Sequence, residues 1–192
     1  SKLDADGDGI VDTRDALPFL PGTVSWEIEP DRDGLPDLKM PFAEGVRAFN
    51  FTSANGPQQK GFENDSGAVF DEDKGFGWRK DLSQNTRLRR IDNNSVRDGF
   101  VFTRHEDVWE CVVENGTWKV HACLGDAGHP QPGQYLTIEN QVAAKNIETG
   151  TGHFREVTSV VTVHDRRLTL TLGIPEGGSN TCLNWVILER DK

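Results

Sequence analysis

Between Thr117 and Leu124 the sequence alternates without a break. Trp118, Val120, Ala122 and Leu124 fall on one side, and Lys119, His121 and Cys123 on the other. A helix repeats every 3.6 residues and cannot gather such a set on one face; a strand does so by its geometry. The same signature recurs over Val46–Phe51, Gly99–Thr103, Trp109–Val113, Tyr135–Glu139, Gln141–Ala144, Val157–Val163, Leu168–Leu172 and Asn184–Glu189. Gly, Asn, Asp and Pro separate these runs, and no amphipathic helix of ten residues competes with them. Glu114-Asn115-Gly116 and His164-Asp165-Arg166 read as hairpin turns. The pattern predicts an all-β fold, a jelly-roll β-sandwich over residues 45–192. The stretch from Thr52 to Ser95 is poor in strands and is expected to form long loops at an end of the sandwich, where ligands commonly bind.

Residues 1–44 differ in character. They carry 11 acidic and 4 basic side chains, a net of −7, against −10 for all 192 residues. Within them, Asp4, Asp6, Asp8, Asp12 and Asp15 take positions 1, 3, 5, 9 and 12 of a twelve-residue loop. Gly9 stands at position 6, where the turn is sharp, and Ile10 at position 7, where the backbone carbonyl is a ligand. Calcium takes six to eight hard oxygens, and a curled loop aims alternate residues at one point, so this spacing predicts a Ca2+ site. A poorer copy follows. Glu29, Asp31, Asp33, Leu35 and Asp37 hold the corresponding positions, but Met40 at position 12 offers no side-chain oxygen. Leu17-Pro18-Phe19-Leu20-Pro21 leaves no room for a regular exiting helix. Residues 1–44 are therefore expected to form a calcium-binding, largely non-regular acidic spacer.

These loops resemble thrombospondin type 3 repeats, in which D-x-D-x-D-G-x-x-D units wrap calcium without flanking helices. The resemblance covers Asp4–Asp15 well and Glu29–Asp37 partly. It implies a calcium-stiffened spacer between domains of a larger secreted protein.

Several function classes are disfavoured. No run of 18 apolar residues suggests a transmembrane helix, so membrane insertion is not expected. Overall acidity argues against a nucleic-acid partner. No leader opens the sequence, so a signal peptide is expected to have been removed or to lie upstream. Cys111, Cys123 and Cys182 form no C-x-x-C; buried free thiols are the expected state, and a Cys123–Cys182 bridge stays open. The sequence contains no H-E-x-x-H, G-x-S-x-G or P-loop. A jelly-roll lyase using His129, Tyr135 and Arg155 is an alternative without a supporting motif, and the chain is not expected to be an enzyme.

Sugars present apolar faces ringed by hydroxyls, so their sites pair an aromatic platform with planar polar groups. Trp78, Arg79, Asp126, His129, Tyr135, Arg155 and Asn184 are the loop-associated candidates. Arg79 and Arg155 would suit a uronate. Trp78 is as readily a core residue, and Trp109, Trp118 and Trp185 are expected in the core.

In order along the chain, Val46-Arg47-Ala48-Phe49-Asn50-Phe51, Gly75-Phe76-Gly77-Trp78, Leu88-Arg89-Arg90, Gly99-Phe100-Val101-Phe102, Glu114–Val120, Leu124-Gly125-Asp126 and Asn184-Trp185-Val186-Ile187 form a set. The set resembles galactose-binding-like, malectin-like β-sandwich domains found beside bacterial polysaccharide-degrading enzymes. The domain preceding rhamnogalacturonan acetylesterases is similar. Leu88-Arg89-Arg90 departs from the Asp-Arg-Gly usual in that family, and Cys111 and Cys123 stand where Val or Thr is common. The resemblance implies a non-catalytic carbohydrate-binding module of a polysaccharide-active or surface protein. Its partners would be a polysaccharide, acidic or pectic types included, and further domains of a parent chain. Its location would be secreted or at the cell surface. A purely structural or adhesive surface domain is the alternative.

Overall fold

The computed structural model describes residues 28–30, 36–38, 45–91 and 95–191. Two short strands, β1 (Ile28–Pro30) and β2 (Pro36–Leu38), pair antiparallel and set Glu29 opposite Asp37. The expected calcium loop Asp4–Asp15 lies outside the described residues, as do Asp31, Asp33 and Leu35 of its copy. No helix among the described residues is long and apolar enough to cross a membrane.

The remaining strands build two antiparallel sheets, with one parallel pair between β3 (Val46–Phe51) and β4 (Glu63–Asp65). The five-stranded sheet runs β11 (Gln141–Thr149), β10 (Gln131–Ile138), β13 (Arg167–Leu172), β8 (Asp107–Val112), β5 (Phe76–Trp78). The seven-stranded sheet runs β12 (Phe154–Val163), β9 (Gly116–Gly125), β14 (Thr181–Arg190), β3, β4. The start of β14 also pairs with β7 (Gly99–Thr103), which pairs with β6 (Thr86–Leu88). Among the described residues the one helical element, α1 (Ser95–Asp98), is a single turn.

Alternation decides what the sheets bury. Trp118, Val120, Ala122 and Leu124 of β9 meet Leu168 and Leu170 of β13 and Leu136 and Ile138 of β10 in the principal core. The opposite face of β9 carries Cys123 into a second cluster with Ala48, Phe62, Val96, Trp185 and Ile187. Phe62 in the 52–62 loop and Val96 in α1 thus cap the outer face of the seven-stranded sheet. Cys111, Cys123 and Cys182 are buried free thiols. Burial pushes the Cys111 thiol up to about 12, against the opposing pull of Arg47.

The described part of the Thr52–Ser95 stretch, residues 52–91, departs from expectation. It is packed along a face and an edge of the sandwich, and it contributes β4, β5, β6 and two central side chains, Asp65 and Trp78. The indole Nε1 of Trp78 donates to Asp65 Oδ1 at 3.0 Å, and that of Trp109 to Oδ2 at 2.9 Å. The Gly67 amide donates to Oδ1 at 2.7 Å. Asp65 belongs to one sheet and both tryptophans to the other, so a single carboxylate joins the two layers inside the core. Phe49 and Phe51 pack edge-on against Trp109, with centroids 4.8 and 5.5 Å away, and exclude water from these bonds. Burial raises the Asp65 pKa above its ordinary value, while the Gly67 amide and the two indoles pull it down. Gly77 is required beside Trp78: its φ is +146°, and a Cβ there would meet the Phe70 backbone at 2.5 Å.

Two outcomes are expected. Asp65→Ala leaves two buried indole N–H groups without acceptors and should cost about 3 kcal/mol or more in urea denaturation; a loss below about 1 kcal/mol would contradict the cross-link. His121 is buried on the outer face of β9, with Nδ1 2.8 Å from Thr158 Oγ1. Burial first, and Lys119 second, lower its pKa from 6.5 to about 4. As pH falls the unfolded chain therefore takes up this proton before the folded one. The contribution is intact above pH 6.5 and is lost between 6.5 and 4, by roughly 3 kcal/mol. His121→Asn should flatten that acid-side loss; stability curves of equal slope would show that another group controls it.

Candidate functional site

Strand pairing fixes which loops share an end. Gly125 of β9 faces Phe154 of β12, Gln131 of β10 faces Thr149 of β11, and Leu136 faces Leu172 of β13. The connections 126–130, 150–153 and 173–180 therefore gather at one end of the sandwich. At the other end lie the turns 113–115, 139–140 and 164–166 and the start of β3.

The loop end is tied across the two sheets by buried polar groups. Gln134 is fully buried; its Nε2 donates to Thr149 Oγ1 at 2.9 Å, and its Oε1 accepts from the Cys182 amide at 3.0 Å. The Tyr135 amide donates to Thr181 Oγ1 at 3.0 Å. Strands β10 and β11 of one sheet are thereby locked to the start of β14 in the other.

Against this frame sits an open polar cleft of about 300 Å³, lined by Pro132, Gly133, Asn146, Glu148 and Ser179. Strand β10 shifts register against β11 three times between Gln131 and Thr137, and Asn146 takes a left-handed φ of +52°. That bulge swings Asn146 toward β10. Gly133, with φ +76°, accommodates it, since a Cβ there would stand 3.0 Å from Asn146 Oδ1. The Tyr135 hydroxyl donates to the same Oδ1 at 3.2 Å and leaves the Asn146 amide group facing outward. The cleft thus has a half-buried aromatic ring at its side, with an amide, a hydroxyl and a carboxylate along its walls.

The residues expected from the sequence distribute unevenly. Tyr135 does not line the cleft but adjoins it through its bond to the lining Asn146. His129 and Arg155 are exposed at the same end but do not line it. Arg79 is exposed beside β5 and pairs with Glu110 at 3.0 Å. Three expectations need correction. Trp78 is wholly buried and serves as a donor to Asp65, so it is no sugar platform. Asp126 is wholly buried and held by Arg89 through two bonds of 2.8 and 2.7 Å, by the Gly128 amide at 2.8 Å and by Gln131 Nε2 at 3.0 Å. Burial would raise its pKa, but the bonds from Arg89 and Gly128 outweigh that, and the carboxyl stays below its usual range. It fastens the 126–130 loop and leaves no oxygen for a ligand. Asn184 is buried and donates to the Arg97 and Gly99 carbonyls at 3.1 and 2.9 Å, anchoring α1 and β7 to β14.

Asn146, Glu148 and Ser179 were not among the expected site residues. The bulge that presents Asn146 has no glycine in β11 to announce it, and Ser179 comes from a loop more than thirty positions further on. Pro132-Gly133, just ahead of the expected strand Tyr135–Glu139, lies inside β10 instead, and its proline and glycine were the local sign of an irregular strand.

A larger cleft of about 720 Å³ opens at the opposite end, lined by residues that include Arg47, Trp118, Arg166 and Arg190. Its groups are mostly committed. Arg47 pairs with Glu63 at 2.8 Å, Arg190 pairs with Glu114, and Trp118 is only 5% exposed with its Nε1 donating to the Glu114 carbonyl. It presents no aromatic surface. Among the described residues, no group of three or more His, Cys, Asp or Glu side chains could hold a metal ion.

No protein-family model matches the sequence, and no curated protein matches it. Solved structures do. The protein YXIM of Bacillus subtilis superposes with a TM-score of 0.59 at 19% identity, over 77% of this chain and 40% of that one. A β-glucuronidase 2 of Bacteroides uniformis gives 0.53 at 10% identity, over 77% and 18%. The ectodomain of ANX2 from Arabidopsis thaliana gives 0.50 at 12% identity, over 76% and 50%. The chain therefore spans half or less of each of these proteins, and at such identities the likeness is one of fold: this is a β-sandwich of a type that recurs as one part of longer chains.

Proposed function

We propose that the sandwich is a non-catalytic carbohydrate-binding module and that its ligand sits in the cleft beside Tyr135. The observation that carries this reading is the placement of Tyr135 and Asn146. An aromatic ring, half-exposed and fixed through its hydroxyl, adjoins an amide that is free to bond a ligand, on a rigid end of the fold. Sugar recognition needs an apolar plane for the ring face and planar polar groups for the hydroxyls; Tyr135 beside the cleft would supply the first and the lining Asn146 the second. Cys111, Cys182 and His121, whose pKa values burial displaces, are buried in the sandwich and do not line the cleft. Glu148 is the one ionisable side chain among the lining residues, and a carboxyl without a paired acid or base beside it suits binding better than turnover.

Residues 1–44 complete the proposal as a calcium-binding spacer that joins the module to further domains of a secreted or cell-surface protein. The support is the ligand spacing of Asp4, Asp6, Asp8, Asp12 and Asp15. Calcium would neutralise carboxylates that otherwise repel one another.

Affinity electrophoresis through gels of galactan, arabinogalactan, pectin and alginate tests the binding reading. Retardation on at least one gel is expected, and Tyr135→Ala should weaken it tenfold or more. Free migration through every gel would contradict the proposal and favour a structural or adhesive role. For the spacer, Asp8→Ala should lower calcium affinity at least tenfold in isothermal titration against the parent chain. Equal titrations would show that Asp4–Asp15 does not hold the ion.

A further inference from the structure

The cleft at the opposite end of the sandwich holds an unspent cation. Its lining includes four ionisable side chains, Arg47, Arg166, Arg190 and Glu114. Two of the guanidinium groups already have carboxylates: Arg47 pairs with Glu63 at 2.8 Å, and Arg190 pairs with Glu114. Arg166 is exposed, and its side chain forms no ion pair or hydrogen bond with another described residue. Its chain neighbours do not pair with it. Asp165 Oδ1 accepts from the Arg167 amide at 3.0 Å, and Arg167 reaches Glu72 and Glu110 at 3.2 and 3.6 Å. The backbone of Arg166 is nonetheless fixed. Its φ is +65°, its amide donates to Asn115 Oδ1 at 2.7 Å, and its carbonyl accepts from the Val113 amide at 3.1 Å. A rigid turn thus presents a free guanidinium at the rim of the cleft.

The chain enters the sandwich at the same place. Gly45 is itself a lining residue, and only residues 39–44 separate it from Leu38 at the end of β2. Such a tether spans at most about 25 Å. The β1–β2 hairpin at its other end has strands of three residues, and an isolated two-stranded hairpin is marginal in water without something to pack on. Its register also sets Glu29 opposite Asp37, and like charges at one cross-strand position destabilise a hairpin unless a cation meets them. The segment cannot neutralise itself: residues 27–44 carry six acidic side chains against Arg32 and Lys39, a net of −4. Calcium is an incomplete answer here, because Met40 offers no side-chain oxygen at position 12.

We propose that the β1–β2 hairpin docks on this cleft, with Glu29 and Asp37 meeting Arg166, and with Arg47 and Arg190 as flanking cations. Val113 and Trp118 of the lining are buried, so the cleft offers its guanidinium groups rather than an apolar floor. Exposed ion pairs are individually weak, but the short tether makes the contact intramolecular, and a weak contact then suffices. Docking fixes the direction in which residues 1–44 leave the sandwich and keeps them at the end away from the cleft beside Tyr135.

Proteolysis of the full chain by endoproteinase Lys-C tests this, because the enzyme cuts after Lys39, inside the tether, and docking holds the tether against the sandwich. Arg166→Glu and Glu29→Arg should each raise the cutting rate at Lys39 at least fivefold. Neither adds a lysine, Arg166 is exposed, and melting curves check that both variants stay folded. Combining the two restores the opposite charges and should return the rate to within twofold of the parent. Arg155→Glu, the same charge change at the other end of the sandwich, should leave the rate unchanged. Salt at about 0.5 M should speed cutting of the parent, since it screens exposed pairs. The parent should be protected equally in calcium and in chelator. An unchanged rate in Arg166→Glu, a double variant cut as fast as the single ones, or an equal rise in Arg155→Glu would overturn the docking. Protection present only in calcium would overturn it too, by assigning the hairpin's carboxylates to the ion.

Discussion

One carboxylate holds the layers of this sandwich in register. Asp65 sits at the end of a three-residue strand in one sheet and accepts from two tryptophans of the other. A buried, ionisable group is a costly choice for a core. It is tolerable only when both oxygens are hydrogen-bonded, and here three N–H donors meet them. The geometry fixes the spacing and angle between the sheets more tightly than apolar packing alone, because an indole slipped by one residue would lose its acceptor. The aromatic cluster of Phe49, Phe51, Phe76, Trp78 and Trp109 is organised about this point.

The loop end repeats the device with neutral groups. Gln134 reaches from β10 to β11 and across to the start of β14, and Asp126 with Arg89 pins the adjoining connection. Rigidity here has a functional meaning. A weak ligand such as a sugar repays little ordering entropy, so a site for it must be formed before the ligand arrives. The bulge at Asn146 and the glycine at 133 place two positive-φ residues of β10 and β11 where the cleft opens.

How much of this was legible in the sequence depends on the range of the interactions. Strands β3 and β7 begin and end at the residues that alternation indicates, Val46–Phe51 and Gly99–Thr103, because local periodicity is enough to define them. The faces of β9 follow from the same cause. The stretch after Thr52 was opaque because its order comes from distant partners. Asp65 and Trp109 are 44 positions apart, and Arg89 and Asp126 are 37. A lone Asp after a strand reads as a ligand contact until its arginine is located. Trp78 was ambiguous for the same reason: its acceptor lies on another strand. Tyr135 was found because an aromatic in a strand near a loop is visible locally. Asn146 and Glu148 were hidden because nothing in a run of alternating residues announces a bulge.

The central claim is that the sandwich binds sugar at the loop end, and backbone amide chemical-shift mapping of the full chain with galactan oligosaccharides addresses it most directly. The account predicts saturable shifts at Gly133, Asn146, Glu148 and Ser179, with the amides around Gly45, Glu114 and Arg166 unmoved. Shifts confined to the arginine-lined cleft at the opposite end, or no shifts at saturating oligosaccharide, would contradict it.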